Sequence, residues 1–542
     1  MAAEITADPP RAVTALPALA RGGAGRPVSV LLSLAAVYYV ITPVLQGAAQ
    51  PVVVAAFDLR PGQVAVMKVA GAAATVLTMF GTGQAGDRWG RRRVLLWSLA
   101  ALAAGLAVQT AAFSGWSYLL GRGVITVAAA ALFVSCLMLV PALNAPGRMT
   151  RVLGGWLAVM SAAFFVSANL IPRTPSLFSL RAAAGIGCLI ALVLLASARR
   201  RLPEPVGSPA GTWDRVLTTA LAGVAATAVA ALQVAPVWGW ADPRTVALFA
   251  AVPLGLTVLG WRLVRRGLPF AMPARAAWMA LATGVAVGCT QLALMAAVPV
   301  LAVQAGATPA QGTLLLSMFG LGGAAGSVLV RHRRIAPVAG CSLGLPLAAL
   351  GLVLLHVLPA GTDAWLAAGS LATALTGLGV MIAQVPQMAW FLSSLPRARL
   401  GAAALHPVAV LLGAAAAQAL PYTSAISLGA APGDATQLLW VAVGVVAAAA
   451  LVAGIPAVAV GVAAAAGGEY LLVRVIAGEQ AAQRPAALAA ALAVGAVTGL
   501  AVWTRRQQSE RLARSRASEA ALQQAVLHTI PERLGGLRLA GH

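Results

Sequence analysis

The sequence predicts an all-α polytopic membrane protein: two six-helix bundles, an inserted helix pair and an extra C-terminal hydrophobic hairpin. Three observations predict it. Hydrophobic residues make up 60% of the 542 positions and charged residues only 9%, a balance foreign to soluble domains. The apolar residues gather in runs of about twenty, the length that crosses a hydrocarbon core. The arginines fall in short segments at alternate ends of those runs, as topology signals do. Alanine and glycine dominate the runs, and small residues let helices approach closely where no hydrophobic effect drives helix against helix.

Residues 1–27 are polar, carry Arg11, Arg21 and Arg26, and read as a cytoplasmic tail without a cleavable leader. The first bundle spans 28–198, with helices expected at 28–48, 63–83, 94–113, 117–141, 152–172 and 177–198. The residues around Asp58 and Arg60 form an outer loop, and Ser114-Gly115-Trp116 forms a tight turn into the fourth helix. Segment 199–215, rich in Arg, Pro and Gly, reads as a cytoplasmic linker. The inserted pair occupies 216–276, with helices at 216–237 and 246–264 joined by WGWADPR. The second bundle, 277–453, repeats the rhythm with helices at 277–303, 309–330, 335–359, 365–392, 401–420 and 437–453.

Residues 454–503 add further hydrophobic segments, and 504–542 form an arginine-rich tail placed in the cytoplasm. Both ends inside requires an even number of crossings, so the count is fourteen or sixteen. The open question is 456–477, which carries Glu469 and Arg474 and reads either as a crossing or as a re-entrant segment. Arginine placement puts the chain in the plasma (bacterial inner) membrane as a multi-pass protein with both termini cytoplasmic.

A formal charge of +23 in a soluble chain would point to nucleic acid. Here the position of the charge decides: it is nearly all arginine at helix ends, so the polyanion is the inner lipid surface. Cys136, Cys188, Cys289 and Cys341 each sit inside an apolar run without CxxC or metal-ligand spacing, so neither a disulfide framework nor a metal is expected. No phosphate loop, HExxH or GxSxG supports an ATP-driven machine or an enzyme, and no cofactor is implied.

The sharpest local pattern is GQAGDRWGRRR at 83–93, a short polar stretch between two apolar runs. It resembles the signature between helices 2 and 3 of the major facilitator superfamily: Gly, three residues, Asp-Arg, one residue, Gly, then basic residues. Gly83, Asp87, Arg88, Gly90, Arg91 and Arg92 occupy those places. The two halves, the inserted pair and the WGW turn resemble the fourteen-helix drug/proton antiporter branch over 28–453. The resemblance implies a secondary transporter that alternates between two states, with this stretch acting as a conformational lock. Elementary chemistry agrees: Asp87, expected near the start of the third helix, can face the positive end of a helix dipole. The arginines can hold anionic lipid or helix ends.

The chain also departs from that pattern. Helix 1 lacks a carboxylate; its polar members are Tyr38, Tyr39, Thr42 and Gln46. Arg122 matches the buried arginine of the branch's helix 4, but Ile125-Thr126 replaces the Gln-Gly beyond it, and helix 5 has Gly154-Gly155 without Gly-Pro. A proton-coupled carrier needs an intramembrane titratable group. Apart from Glu469, no acidic residue qualifies, which leaves His406 as the coupling candidate, against a plain structural role. Lys68 and Arg122 either snorkel outward or line a central cavity that would then favour an anionic or electron-rich substrate. Gln46, Gln291 and Gln384, with Asn169 and Gln387, are candidate neutral hydrogen-bonding groups. The reading is a transporter of a small organic molecule or drug, in the exporting direction, with a small-molecule substrate and the lipid bilayer as partners. Proton coupling, substrate identity and oligomeric state stay open. The alternative is a transporter-derived membrane sensor or assembly partner that has lost proton coupling.

Overall fold

The computed structural model describes residues 26–58, 61–170, 176–203, 215–239, 241–266, 274–357, 363–419, 533–534 and 537–538, and it divides into two units, 1–453 and 454–542. In the second unit the described residues form a small antiparallel pairing, Arg533–Leu534 with Leu537–Arg538. The fourteenth helix and the C-terminal hydrophobic hairpin expected from the sequence lie outside the described residues.

In the first unit the described residues form thirteen α-helices. In order these are α1 Arg26–Phe57, α2 Pro61–Trp89, α3 Arg91–Thr110, α4 Gly115–Leu143, α5 Met149–Leu170 and α6 Leu177–Arg201. There follow α7 Arg215–Trp238, α8 Pro243–Arg266, α9 Ala274–Gln304, α10 Pro309–Arg333, α11 Pro337–Val357, α12 Asp363–Ser394 and α13 Leu405–Ala419. Among the described residues eleven segments are long and apolar enough to cross a membrane, while the apolar part of α8, Pro243–Val258, is shorter. This is a helical, multi-pass membrane protein.

Short caps set the hairpins. Ser114 and Ser117 form a reciprocal capping box that starts α4, as Ser176 and Ser179 do for α6 and Thr308 and Gln311 for α10. Each satisfies amides that a helix start leaves open. Helix α1 runs nine residues beyond the predicted end at 48, through Pro51, so the outer connection shrinks to a few residues around Asp58, which has φ 47°.

Helices α1 to α6 pack among themselves, chiefly α3 on α4 and α6, and α1 on α4 and α5. Helices α9 to α13 form the second group, with α12 against α10 and α11 and α9 against α13. Glycines permit these contacts: a Cβ on Gly322 would collide with the Ala374 carbonyl and one on Gly377 with that of Phe319, which brings α10 and α12 backbone to backbone. The groups meet along α5–α10 and α2–α13, and α7 packs on both α2 and α13. The inserted pair thus adheres to both groups.

Two expectations need correction. The stretch 83–93 is not a loop. Helix α2 continues to Trp89, one residue (Gly90, φ 98°) breaks it, and α3 begins at Arg91. Glycine is required at that break because the left-handed region is strained for other residues. Asp87 therefore stands in the last turn of α2, not at the start of α3. Second, the helix expected at 401–420 opens as a 3-10 helix, Arg397–Ala404, before α13. Pro407 has no N–H and cannot bond back four residues to Ala403, so the tighter winding there loses nothing.

Candidate functional site

Two features converge between the helix groups: a contact at the arginine-rich end and a cavity above it. The contact is built from the 83–93 stretch. The Asp87 carboxylate is 1% exposed; its Oδ1 lies 3.1 Å from Arg91 Nη2. Its Oδ2 accepts the Gly401 backbone N–H at 2.8 Å, 314 residues away in the sequence. The break at Gly90 sets Asp87, in the last turn of α2, beside Arg91, the first residue of α3. The Gly401 amide belongs to the 3-10 segment that runs into α13, so a carboxylate meets the amino-terminal side of a helical segment, where negative charge is favoured.

Glycine makes this approach possible. A Cβ on Gly83 would lie 2.5 Å from the Gly401 carbonyl oxygen, and one on Gly401 would lie 2.7 Å from Asp87 Oδ2. On the same end, Arg92 Nη2 donates to the Arg199 carbonyl at 2.7 Å, tying the start of α3 to the end of α6. A second crossing lies on α5. Cβ atoms on Gly154 and Gly155 would meet Ser327 O and Arg331 Nη1, each at 2.9 Å, so the glycine pair forms a notch for the α10 arginine.

The cavity holds about 360 Å³ and belongs to both helix groups. Tyr39, Thr42 and Gln46 of α1 form part of its wall, with Thr126 and Phe133 of α4. Helix α5 contributes Met160, Ser161 and Phe164. Across from these stand Gln291 and Met295 of α9, Phe319 of α10, Met381, Gln384 and Met388 of α12, and His406 of α13. No Asp, Glu, Lys or Arg stands among its described lining residues.

Of the residues singled out in the sequence, the cavity gathers Gln46, Gln291, Gln384 and His406. Gln46 Nε2 donates to Thr126 Oγ1 at 3.2 Å, so the threonine that replaces part of the helix 4 signature holds the α1 glutamine. His406 is 2% exposed with its Nε2 lacking a hydrogen-bond partner among the described residues, and Gln384 Oε1 is buried in the same condition. Gln387 instead donates across to the Pro337 carbonyl of α11 at 2.9 Å, and Asn169 donates within α5 to the Phe165 carbonyl at 2.8 Å, both off the cavity.

Arg122 is absent from the wall. It sits one turn from Thr126, toward the α4 start and beside Tyr118, and its carbonyl accepts the Thr126 hydroxyl at 2.9 Å. Lys68 belongs to α2, and its side chain lies outside the described residues. Gly83, Asp87, Gly90, Arg91 and Arg92 lie together at the arginine-rich end, with Arg88 in the last turn of α2.

Sequence reading missed the aromatic and methionine wall. Tyr39 stacks on Phe133 at 4.5 Å between centroids, Phe133 on Trp156 at 5.3 Å, and Phe164 meets Phe319 edge-on at 6.3 Å across the two groups. The available signal was that these large side chains interrupt alanine-rich helices, but periodicity alone cannot tell a cavity wall from a core.

A family model described as Major Facilitator Superfamily matches residues 30–417, most of the chain. The chain belongs to the Major Facilitator Superfamily. Among solved structures, the human organic anion transporter MFSD10 (TETRAN) is similar with a TM-score of 0.58 at 16% identity, covering 79% of this chain and 99% of that one. FucP, a superfamily transporter solved in the outward conformation, gives a TM-score of 0.53 at 13% identity, covering 77% of this chain and 96% of FucP. At these identities the likeness shows the fold. The tetracenomycin C resistance and export protein of Streptomyces glaucescens is 28% identical over 215 residues. That alignment spans 37% of this chain and 38% of the relative, well under two thirds of its length.

Proposed function

We propose that this superfamily member exports a small organic molecule by alternating access, belongs to the fourteen-helix branch, and sits in the plasma membrane with both termini cytoplasmic. The observation that carries the reading is the shared cavity of about 360 Å³ between two helix groups joined by the Asp87–Gly401 contact. Its volume falls within the roughly 300–1,000 Å³ of small-molecule sites. A site between two halves that rock about it is loaded from one face and emptied to the other.

With arginines cytoplasmic, the Asp87 contact closes the inner face, and its release admits substrate from within. The resemblance of a segment to an antibiotic export protein supports the outward direction.

Growth inhibition across drug classes, comparing deletion and overexpression strains, tests export. Overexpression is expected to protect against at least one class, with protection lost in Asp87→Asn at unchanged membrane abundance. Equal sensitivity of all strains to every class would refute it. The second reading, a sensor or assembly partner without coupled transport, draws on the absence of a carboxylate from the cavity wall. Proteoliposome flux under an imposed pH gradient separates the two, because proton-linked substrate movement eliminates the second.

A further inference from the structure

We infer that the cavity selects an uncharged, flat aromatic molecule carrying both hydroxyl and carbonyl groups; this rests on the reading of the cavity as the transport site. The argument begins with what the wall lacks. Among the described lining residues no carboxylate faces the space, so an organic cation entering it would exchange water for neutral groups. Neither Lys nor Arg stands among those residues, so an anion fares no better against them.

What the wall presents is aromatic and sulfur-rich. The stacked Tyr39–Phe133 pair offers a flat face, and Phe164 and Phe319, at 81° to each other, offer one face and one edge. Methionines from three helices adapt their shape to a rigid ring system and favour contact with ring edges. A flexible aliphatic ligand would gain less from such a wall and would lose more conformational freedom on binding.

The orphaned atoms supply the polar half of the selection. Among the described residues Gln384 Oε1 is an acceptor without a donor, and His406 Nε2 is buried without a partner. Gln46 is already engaged with Thr126, so it is a weaker claimant on the ligand. Buried polar atoms left alone are unfavourable, and a ligand that supplies their partners recovers that loss on binding. An amide oxygen needs a donor such as a phenol; the imidazole nitrogen accepts or donates according to its tautomer. A ring system bearing two hydroxyls and a carbonyl satisfies both in either tautomer: two hydroxyls donate when Nε2 accepts, and a hydroxyl and a carbonyl serve when Nε2 donates.

The test uses the purified full chain in lipid nanodiscs and four probes: 1,8-dihydroxyanthraquinone, unsubstituted anthraquinone, anthraquinone-2-sulfonate and ethidium. Dihydroxyanthraquinone is expected to bind at least tenfold more tightly than either charged probe. Gln384→Leu and His406→Leu should each erase roughly three- to tenfold of its advantage over unsubstituted anthraquinone, the ratio one buried hydrogen bond is worth. Ala129→Trp and Ser161→Phe, which fill the cavity from different helices, should abolish binding of all four.

Charged probes that bind as tightly as the dihydroxy compound, and are still lost in the filling variants, would overturn the substrate class and leave the cavity reading standing. An advantage of the hydroxylated probe that survives both leucine variants would overturn the roles of Gln384 and His406. Binding that persists in both filling variants, each monodisperse in solution, would overturn the cavity reading itself.

Discussion

Replacing Asp87 by asparagine removes one charge and keeps the shape. In the native chain one carboxylate oxygen faces Arg91 Nη2 at 3.1 Å and the other holds the Gly401 N–H at 2.8 Å, with the side chain 1% exposed. Hydrogen bonds to charged groups contribute about 1.5–3 kcal/mol, against about 0.5–1.5 kcal/mol for neutral ones. Asparagine still has one oxygen, which can serve the Gly401 amide, so the expected weakening is the difference, roughly 1–1.5 kcal/mol. At 1.4 kcal/mol per decade, local opening of the contact becomes about tenfold more frequent. Hydrogen exchange reads this directly, because the Gly401 amide is one of the bonded groups. Peptides spanning 397–404 should exchange about tenfold faster in Asp87→Asn and faster still in Asp87→Ala, while peptides from α11 keep their rates. Identical exchange across 397–404 in the native chain and both variants would show that Asp87 does not hold the two helix groups together.

Gly401→Ala places a methyl group 2.7 Å from Asp87 Oδ2, so about 1–3 kcal/mol of overpacking should separate the ends of α2 and α13. Spin labels on those ends should report a longer mean distance, and an unaltered distribution would refute the close-contact argument. Gly90→Ala forces φ 98° on a residue with a Cβ and should lower stability by about 1–2 kcal/mol, seen as an earlier thermal transition. Gly155→Val should crowd Arg331 Nη1, and the double variant with Arg331→Ala should be less impaired than additivity predicts, by a coupling of about 0.5–3 kcal/mol in thermal stability. Strict additivity would mean that the notch does not seat the arginine.

The helices were legible because bilayer length and arginine placement act on composition alone. Thus the starts predicted for α6 and α10, Leu177 and Pro309, match those of the structure. Local backbone detail was not legible. The polar look of 83–93 argued for a loop, yet Gln84, Asp87 and Arg88 complete the last turns of α2, because that end lies against the 3-10 segment and α4. Nor could the partner of Asp87 be read, since a main-chain amide 314 residues away leaves no mark in composition or spacing. Arg122 shows the converse limit. Matching a signature indicated its importance, but one helical turn separates it from the wall, and only packing decides such a distance. Gln46, Gln291, Gln384 and His406 stood out because polar side chains are conspicuous in apolar helices. Phe133 and Met388 did not, because in that background they look like ordinary filling.

The neutrality of the cavity wall has an electrical consequence. A membrane potential does work of about 2.3 kcal/mol per elementary charge per 100 mV, and only on charge that moves through the field. A neutral molecule carried past described lining residues that include no carboxylate, ammonium or guanidinium group gives the field nothing to pull on there. The charges resolved at Asp87, Arg91, Arg92 and Arg331 are gathered at one end, where rocking of the halves displaces them through little of the voltage drop. Transport of such a substrate without a coupled ion would proceed at the same rate in a polarised and a depolarised membrane.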